Sequence, residues 1–233
     1  MRHKQKNRIS YPRLMSVLRT RCYRILRMNY LAHAYLSFKI PAITVGNLIS
    51  DFVKGKQKLI YPPEIQQGIV LHRAIDAFTD THPITRQAKI FFKEPYGLYA
   101  GPLIDVVYDH FLARDPLIFP GNTQDSSGAD LKSFAQKTYA QLEDNQAFFP
   151  EKFARLFYYM RTQDWLYNYR YKEGILNSFA GLARRAAYMG SSEAAGRLFE
   201  THYTQLQGCY EAFFPELQEY ALRTLQQLTG ENG

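Results

Sequence analysis

The sequence predicts an all-α protein that forms a compact single domain of many helices. Apolar residues recur at helical spacing in segments that are separated by proline and glycine, and alternating strand patterns are scarce. The apolar run at residues 42–45 is too short to indicate a sheet. A chain of 233 residues suits one domain, and its 46% hydrophobic and 15% aromatic residues can supply a sizeable core.

Proline and glycine mark the ends of the predicted helices. Pro63 and Pro83 each begin a helix, and Gly101 opens a third one that ends near residue 115. Residues 119–128 are rich in turn-forming residues and predict a loop. For the second half, the pattern predicts helices over 130–144, 150–162, 164–171, 175–188 and 192–214, with a last one after Pro215.

The net charge of +8 is concentrated at the N-terminus. Residues 1–27 contain nine basic and no acidic residues, which leaves 20 basic and 21 acidic residues, a net charge of −1, in the predicted domain 28–233. Nucleic acid is therefore not expected as the partner of this domain. Like-charged segments seldom fold alone, so residues 1–27 are predicted to be a disordered arm that contacts an anionic partner, or an extension upstream of a natural start at Met28. A weak apolar stripe makes a short helix over 11–27 a further alternative.

Cysteine usage and hydropathy indicate a cellular compartment. Cys22 and Cys209 form no disulfide framework, which favours a reducing compartment and predicts a cytoplasmic protein. No apolar run approaches the ~20 residues of a membrane-spanning helix. The N-terminus also lacks the ordered regions of a secretory signal.

Histidine and carboxylate side chains are concentrated in otherwise apolar segments between residues 47 and 110. His72 and Asp76 are four residues apart, so on one helix they share a face and can present a nitrogen and an oxygen to one cation. Asp80 extends this face by a turn, and two aspartates there would repel each other without a cation or an arginine. The alternative is an ion pair on a solvated face.

Asp51 and the dipeptide Asp109-His110 extend this candidate cluster. Charged groups in an apolar environment are costly to bury unless they are paired or ligate a metal. For Asp109 and His110, the alternative is a core histidine hydrogen-bonded to a nearby aspartate. His33 is a further candidate, again with a core histidine as its alternative. Together these residues favour a metal-dependent hydrolase.

Several other classes of enzyme lack their characteristic motifs. The chain has no G-x-x-x-x-G-K-[ST] phosphate loop, no G-x-G-x-x-G, no H-E-x-x-H and no G-x-S-x-G. Aromatic stretches at 157–159 and 165–170 offer rings for stacking nucleic-acid bases, but their helical spacing is more typical of core and rim positions.

Four segments resemble the acyl carrier protein phosphodiesterases, which are also called acyl carrier protein hydrolyases. These segments are MNYLAH at 28–33, GNLISDFVKG at 46–55, GIVLHRAIDAFTD at 68–80 and YDHFL at 108–112. The resemblance runs from Met28 to the C-terminus and implies a helical fold related to the HD-type metal phosphohydrolases, with a rearranged motif order. The dipeptide is Asp-His here, not His-Asp, and residues 1–27 lie outside the family pattern.

The resemblance implies a reaction and a site. The reaction is hydrolysis of the phosphodiester that joins 4′-phosphopantetheine to a serine of holo-acyl carrier protein, with Mn²⁺ as the usual metal and Mg²⁺ as the next candidate. We hypothesise that Asp76 or Asp80 takes a proton from the attacking water, that Arg73 steadies the phosphoryl oxygens, and that His110 protonates the serine leaving group. The metal ligands carried over by motif are Asp51, His72, Asp76, Asp109 and His110.

The substrate implied by the resemblance is a small acidic protein, so docking is expected at basic residues beside the site. Arg86, Lys89 and Lys93 follow Pro83 at helical spacing and share a face, with an ordinary solvated face as the alternative. Two other functions stay open. One is phosphodiesterase action on a nucleotide or other small phosphate ester, and the other is a non-enzymatic helical module that binds through its basic arm.

Overall fold

The structure is a computed structural model that describes residues 29–122, 129–186 and 189–230. Over these ranges the fold is all-α, with eleven α-helices, five short 3₁₀ helices and no strand, which confirms the predicted fold class. The N-terminal extension 1–27, its predicted helix and Met28 lie outside the described residues, as does most of the loop predicted over 119–128.

The elements follow one another with short connections. The 3₁₀ helices are Ser50–Phe52, Gly55–Ile60, Gly97–Tyr99, Pro120–Asn122 and Gln146–Phe148. The α-helices are α1 (Tyr30–Tyr35), α2 (Pro41–Ile49), α3 (Pro63–Thr81), α4 (Pro83–Tyr96), α5 (Ala100–Arg114), α6 (Ala129–Asp144), α7 (Glu151–Thr162), α8 (Trp165–Asn168), α9 (Lys172–Arg185), α10 (Ser192–Thr201) and α11 (Tyr203–Thr229).

The predicted helix boundaries agree with the structure at some positions and differ from it at others. Helices α3 and α4 begin at Pro63 and Pro83 as predicted, because proline fits the first turn of a helix. The single helix predicted over 192–214 is wrong, since the chain breaks at His202 into α10 and α11. The break predicted at Pro215 is also wrong, because α11 continues through it.

Helices α2 and α3 approach each other closely at two glycines. A Cβ on Gly46 would lie 2.1 Å from the carbonyl oxygen of Ile65, and a Cβ on Gly68 would lie 2.4 Å from the carbonyl oxygen of Ile43. Only glycine fits such an approach of two backbones. Because Gly68 precedes His72 by about one turn, this crossing brings the 3₁₀ turn after α2 beside the middle of α3.

Helix α5 forms the centre of the fold. Every residue from Ala100 to Ala113 is buried, which is typical of a helix enclosed on all sides. Polar side chains on such a helix must find partners inside the protein. None of the described helices combines the length and hydropathy that are needed to cross a membrane.

Candidate metal centre

Side chains from α1 and α3 converge on one buried cluster. His33, His72 and Asp76 each offer a donor atom, and the three atoms lie within 4.8 Å of one another. Nε2 of His33 lies 3.4 Å from Asp76 Oδ1, and Nε2 of His72 lies 3.2 Å from Asp76 Oδ2. Asp51, in the turn after α2, lies beside this group with its Oδ1 3.4 Å from His72 Nε2.

The donor set of this cluster fits a hard divalent cation. The rings of His33 and His72 stack with their centroids 4.0 Å apart and are only 1% and 4% exposed. Among the described residues, none forms a hydrogen bond with a ring nitrogen of either histidine. Buried polar atoms normally have hydrogen-bond partners. The Nε2 atoms of both histidines face carboxylate oxygens of Asp76. Coordination of one cation between these atoms would explain why the Nε2 atoms have no hydrogen-bond partner within the described part of the chain.

The electrostatics of the cluster also favour a cation. Burial and the nearby charge of His72 lower the pKa of His33. Burial opposes protonation of His72 as well, but the carboxylates of Asp76 and Asp51 outweigh it and raise the pKa of His72 to about 10. Burial tends to raise the pKa of Asp76, yet the charge of His72 and the close contact with His33 hold it well below its usual range. The cluster therefore requires a positive charge, which either a proton or a metal ion supplies.

Two residues outside the cluster fix the position of His33. The carboxylate of Asp109 accepts hydrogen bonds from the backbone N–H groups of Leu31 at 3.0 Å and Ala32 at 2.8 Å. These are N–H groups of the first turn of α1, which have no partner inside the helix and favour a negative charge. From the other side, Nδ2 of Asn47 donates to the carbonyl oxygen of His33 at 3.0 Å.

The ring of His110 is engaged on both sides by groups other than the cluster. Its Nδ1 donates to the carbonyl oxygen of Tyr169 at 2.7 Å, and its Nε2 lies 2.9 Å from the hydroxyl of Tyr203. A carbonyl oxygen only accepts, so Nδ1 carries the proton and Nε2 accepts from Tyr203 when the ring is neutral. Burial lowers the pKa of His110 to about 4, so the ring is neutral near pH 7. His110 thus connects α5 to the segment after α8 and to the start of α11.

The other predicted site residues either contact groups outside the cluster or are exposed. The guanidinium of Arg73 donates to the carbonyl oxygen of Val53 at 3.0 Å, which ties α3 to the segment after Asp51. Asp80 forms an ion pair with Lys89 of α4 at 3.2 Å. The remaining predicted docking residues, Arg86 and Lys93, are exposed on α4.

The structure therefore brings together Asp51, His72 and Asp76 with His33, which the sequence had offered as a further candidate. Asp109 and His110 do not belong to the three-residue group of His33, His72 and Asp76. The sequence pattern did not single out Asn47, which contacts the backbone of His33, although it stands in the segment with Asp51. The polar side chain of Asn47 is completely buried, and this burial is visible only in the folded chain.

The fold and the centre define a class, an all-helical protein with a buried histidine–carboxylate site that suits a divalent cation. The chain belongs to the acyl carrier protein phosphodiesterase family, whose model matches residues 28–217. It is 33% identical over 196 residues to the acyl carrier protein phosphodiesterase of Yersinia pestis, across 83% of this chain and 97% of that protein. The proteins of the same name from Salmonella paratyphi A and Photorhabdus laumondii are 33% and 31% identical, across 84% and 83% of this chain and 98% and 95% of their own lengths. No solved structure matches the chain, and the relation to HD-type phosphohydrolases stays a prediction.

Proposed function

We propose that this chain is a metal-dependent phosphodiesterase that hydrolyses holo-acyl carrier protein to apo-acyl carrier protein and 4′-phosphopantetheine. The substrate class follows from the family, since its relatives are named acyl carrier protein phosphodiesterase. The observation that carries the chemistry is the convergence of His33, His72 and Asp76 beside Asp51. Phosphodiester hydrolysis requires stabilisation of charge on the phosphoryl oxygens, which is the usual task of such a centre.

We propose Mn²⁺ as the metal, with Mg²⁺ as the next candidate. Imidazole and carboxylate donors without thiolate suit these ions. His33, His72 and Asp76 would hold the cation, with Asp51 as the adjacent carboxylate. A divalent cation held by these residues would lower the pKa of a bound water and offset charge on the phosphoryl group.

The surrounding residues support the reaction by holding the donors in place. Asp109 and Asn47 fix the two ends of the segment that carries His33, and Arg73 fixes the segment that follows Asp51. Asp76, ionised because its pKa is held low, can accept a hydrogen bond that orients the attacking water. We propose that Asp109 and His110 support the reaction by holding neighbouring segments in place and do not bind the metal. Their alternative roles as ligands, and that of His110 as an acid, stay predictions from the resemblance and the motif.

The docking surface for the carrier protein stays a proposal on α4. Arg86 and Lys93 are exposed, whereas the charge of Lys89 is already compensated by Asp80. We therefore expect Arg86 and Lys93 to contribute more to the docking of an acidic protein than Lys89 does.

The test is an assay of the purified chain on holo-acyl carrier protein, followed by intact mass. With Mn²⁺ we expect apo-acyl carrier protein and free 4′-phosphopantetheine, and we expect metal-stripped protein to be inactive until Mn²⁺ is restored. His72→Ala removes one donor and should weaken Mn²⁺ binding in calorimetry by at least about tenfold. The matched control His202→Ala changes a histidine that stacks on Phe91 outside the cluster.

Two results would contradict the proposal. Unchanged Mn²⁺ affinity in a His72→Ala/Asp76→Ala double variant would show that the metal binds elsewhere. Absence of mass loss from the carrier under every metal condition, together with cleavage of a nucleotide phosphodiester, would assign the activity to the nucleotide class instead.

A further inference from the structure

A cavity of about 740 Å³ lies between α7, α8 and α9 and is separate from the metal centre. Cavities of roughly 300–1,000 Å³ are the size that holds small ligands. Its described lining includes three arginines, Arg155, Arg184 and Arg185, and no acidic residue. Arg155 forms an ion pair with Glu151 on its own helix, so the positive charge of the lining comes mainly from Arg184 and Arg185. The excess of positive charge fits an anionic ligand. Amide and aromatic side chains complete most of the wall, namely Gln163, Asn168, Asn177, Tyr159, Trp165 and Tyr169.

Two ring contacts connect the helices around this cavity to segments that carry residues of the metal centre. The ring of Trp165 lies 6.3 Å from that of Tyr30, which precedes His33 by about one turn of α1. Phe153 lies outside the lining but on α7, which carries the lining residues Arg155 and Leu156, and its ring lies 5.5 Å from that of Phe52, the neighbour of Asp51. The cavity therefore lies on the side of the centre that carries His33 and Asp51.

Arg185 is the cavity arginine whose charge acts on Tyr30 of α1. Burial raises the pKa of Tyr30, Asp51 raises it further, and Arg185 opposes the rise. The hydroxyl of Tyr30 therefore lies within range of both charges.

One face of α9 forms the floor of the cavity. Asn177, Gly181 and Arg185 lie on this face at successive four-residue intervals. A Cβ on Gly181 would lie 3.6 Å from Nη2 of Arg185 and 3.8 Å from Nη2 of Arg184, which is ordinary contact. A side chain at Gly181 can thus be accommodated by the helix while it projects into the cavity.

We propose that this cavity receives the 4′-phosphopantetheine arm of the substrate, with Arg185 binding the phosphate end and Asn177 an amide of the arm. The proposal rests on the proposed function, because hydrolysis at the centre leaves the arm attached to the phosphorus that is attacked. The arm is a narrow chain of amides behind a phosphate, which matches amide side chains grouped with arginines. A cavity of this size takes such an arm and excludes the folded carrier protein.

The experiment measures binding of free 4′-phosphopantetheine to the Mn²⁺-loaded protein by calorimetry. Arg185→Gln removes the charge and should weaken binding by at least about tenfold. Gly181→Leu should weaken it to a similar extent by filling the cavity, while leucine favours the helix more than glycine does. The matched controls are Gly208→Leu, at a position where nothing lies within 4 Å of an added Cβ, and Arg223→Gln, both on exposed positions of α11. Both controls should bind like the wild-type protein, and thermal unfolding checks the fold of each variant.

The outcomes separate this inference from the proposed function. If wild-type protein cleaves holo-acyl carrier protein but Arg185→Gln and Gly181→Leu bind the arm and show KM values for the carrier like the wild type, the cavity is not the arm site and the proposed function stands. If wild-type protein cleaves bis(4-nitrophenyl) phosphate but neither cleaves the carrier nor binds the arm, both proposals fail. Weaker arm binding and raised KM in both variants supports the assignment.

Discussion

Replacing Asp109 by asparagine tests how the fold supports the centre. The carboxylate of Asp109 is fully buried and accepts the N–H groups of Leu31 and Ala32 with one oxygen each. In Asp109→Asn, the amide oxygen can keep one of these hydrogen bonds. The amide nitrogen then faces the other N–H group, and two donors meet without an acceptor.

The expected decrease in the free energy of unfolding follows from the hydrogen bond that is lost. Leaving one buried donor without an acceptor and removing a charged acceptor should lower the free energy of unfolding by about 2–4 kcal/mol. Burial raises the pKa of Asp109, and its hydrogen bonds with Ala32 and Leu31 oppose the rise. Asparagine avoids the cost of burying a charge, so we expect the lower part of this range. A domain with a typical free energy of unfolding of about 5–15 kcal/mol stays folded after such a loss.

The assay is urea unfolding in the presence of EDTA, together with Mn²⁺ calorimetry. Asp109→Asn should be destabilised without metal and should bind Mn²⁺ only moderately more weakly, because His72 and Asp76 keep their places. Asp144→Asn, an exposed acid at the end of α6, is the control and should change the free energy of unfolding by less than about 0.5 kcal/mol. The reasoning is refuted if Asp109→Asn unfolds like the wild type without metal but loses Mn²⁺ as completely as His72→Ala. Asp109 would then be a ligand.

The remaining predictions concern packing, pH, docking and the N-terminus. Gly68→Ala places a Cβ 2.4 Å from the carbonyl oxygen of Ile43 and should lower the free energy of unfolding by about 3 kcal/mol and weaken Mn²⁺ binding, as urea titration and calorimetry would measure. His110, with its pKa lowered to about 4, stabilises the fold fully above the unfolded pKa near 6.5 and loses this contribution as the pH falls toward 4. Between pH 7.5 and 5 the loss should be about 2 kcal/mol, and His110→Gln should lack that part of the pH dependence. Arg86→Glu should raise KM for the carrier and make this KM less dependent on salt. An equal loss of activity on a small phosphodiester would contradict a docking role. Deletion of residues 1–27 should leave hydrolysis intact, and its abolition would favour the binding-module alternative.

Local constraints in the sequence explain which parts of the fold were predictable. Proline at the first turn of α3 and α4 limits the backbone directly, so both beginnings follow from the sequence. Pro215 carries a comparable local penalty inside α11, yet the helix continues because Phe213, Phe214 and Leu217 are all buried across it. The free energy of this burial is a tertiary quantity that the local pattern does not contain.

The candidate site likewise combines residues that the local sequence predicts and residues that only the fold brings together. His72 and Asp76 were predictable as a pair because four residues on one helix bring two side chains to the same face. Asp51 reaches His72 only because two glycines let α2 and α3 cross closely, and glycines alone do not reveal their partners. Asp109 and His110 are adjacent in sequence but point to different neighbours, Asp109 to the start of α1 and His110 to Tyr169 and Tyr203.

The centre therefore consists of one locally determined pair and two donors whose positions depend on long-range packing. A cation that binds only the folded arrangement adds to stability according to its concentration relative to its dissociation constant. Mn²⁺ should accordingly restore much of the stability that Asp109→Asn loses, because His33 is displaced but still present. It should restore little in His72→Ala, where a donor atom is gone. A difference between these two responses separates residues that position the donors from residues that bind the metal.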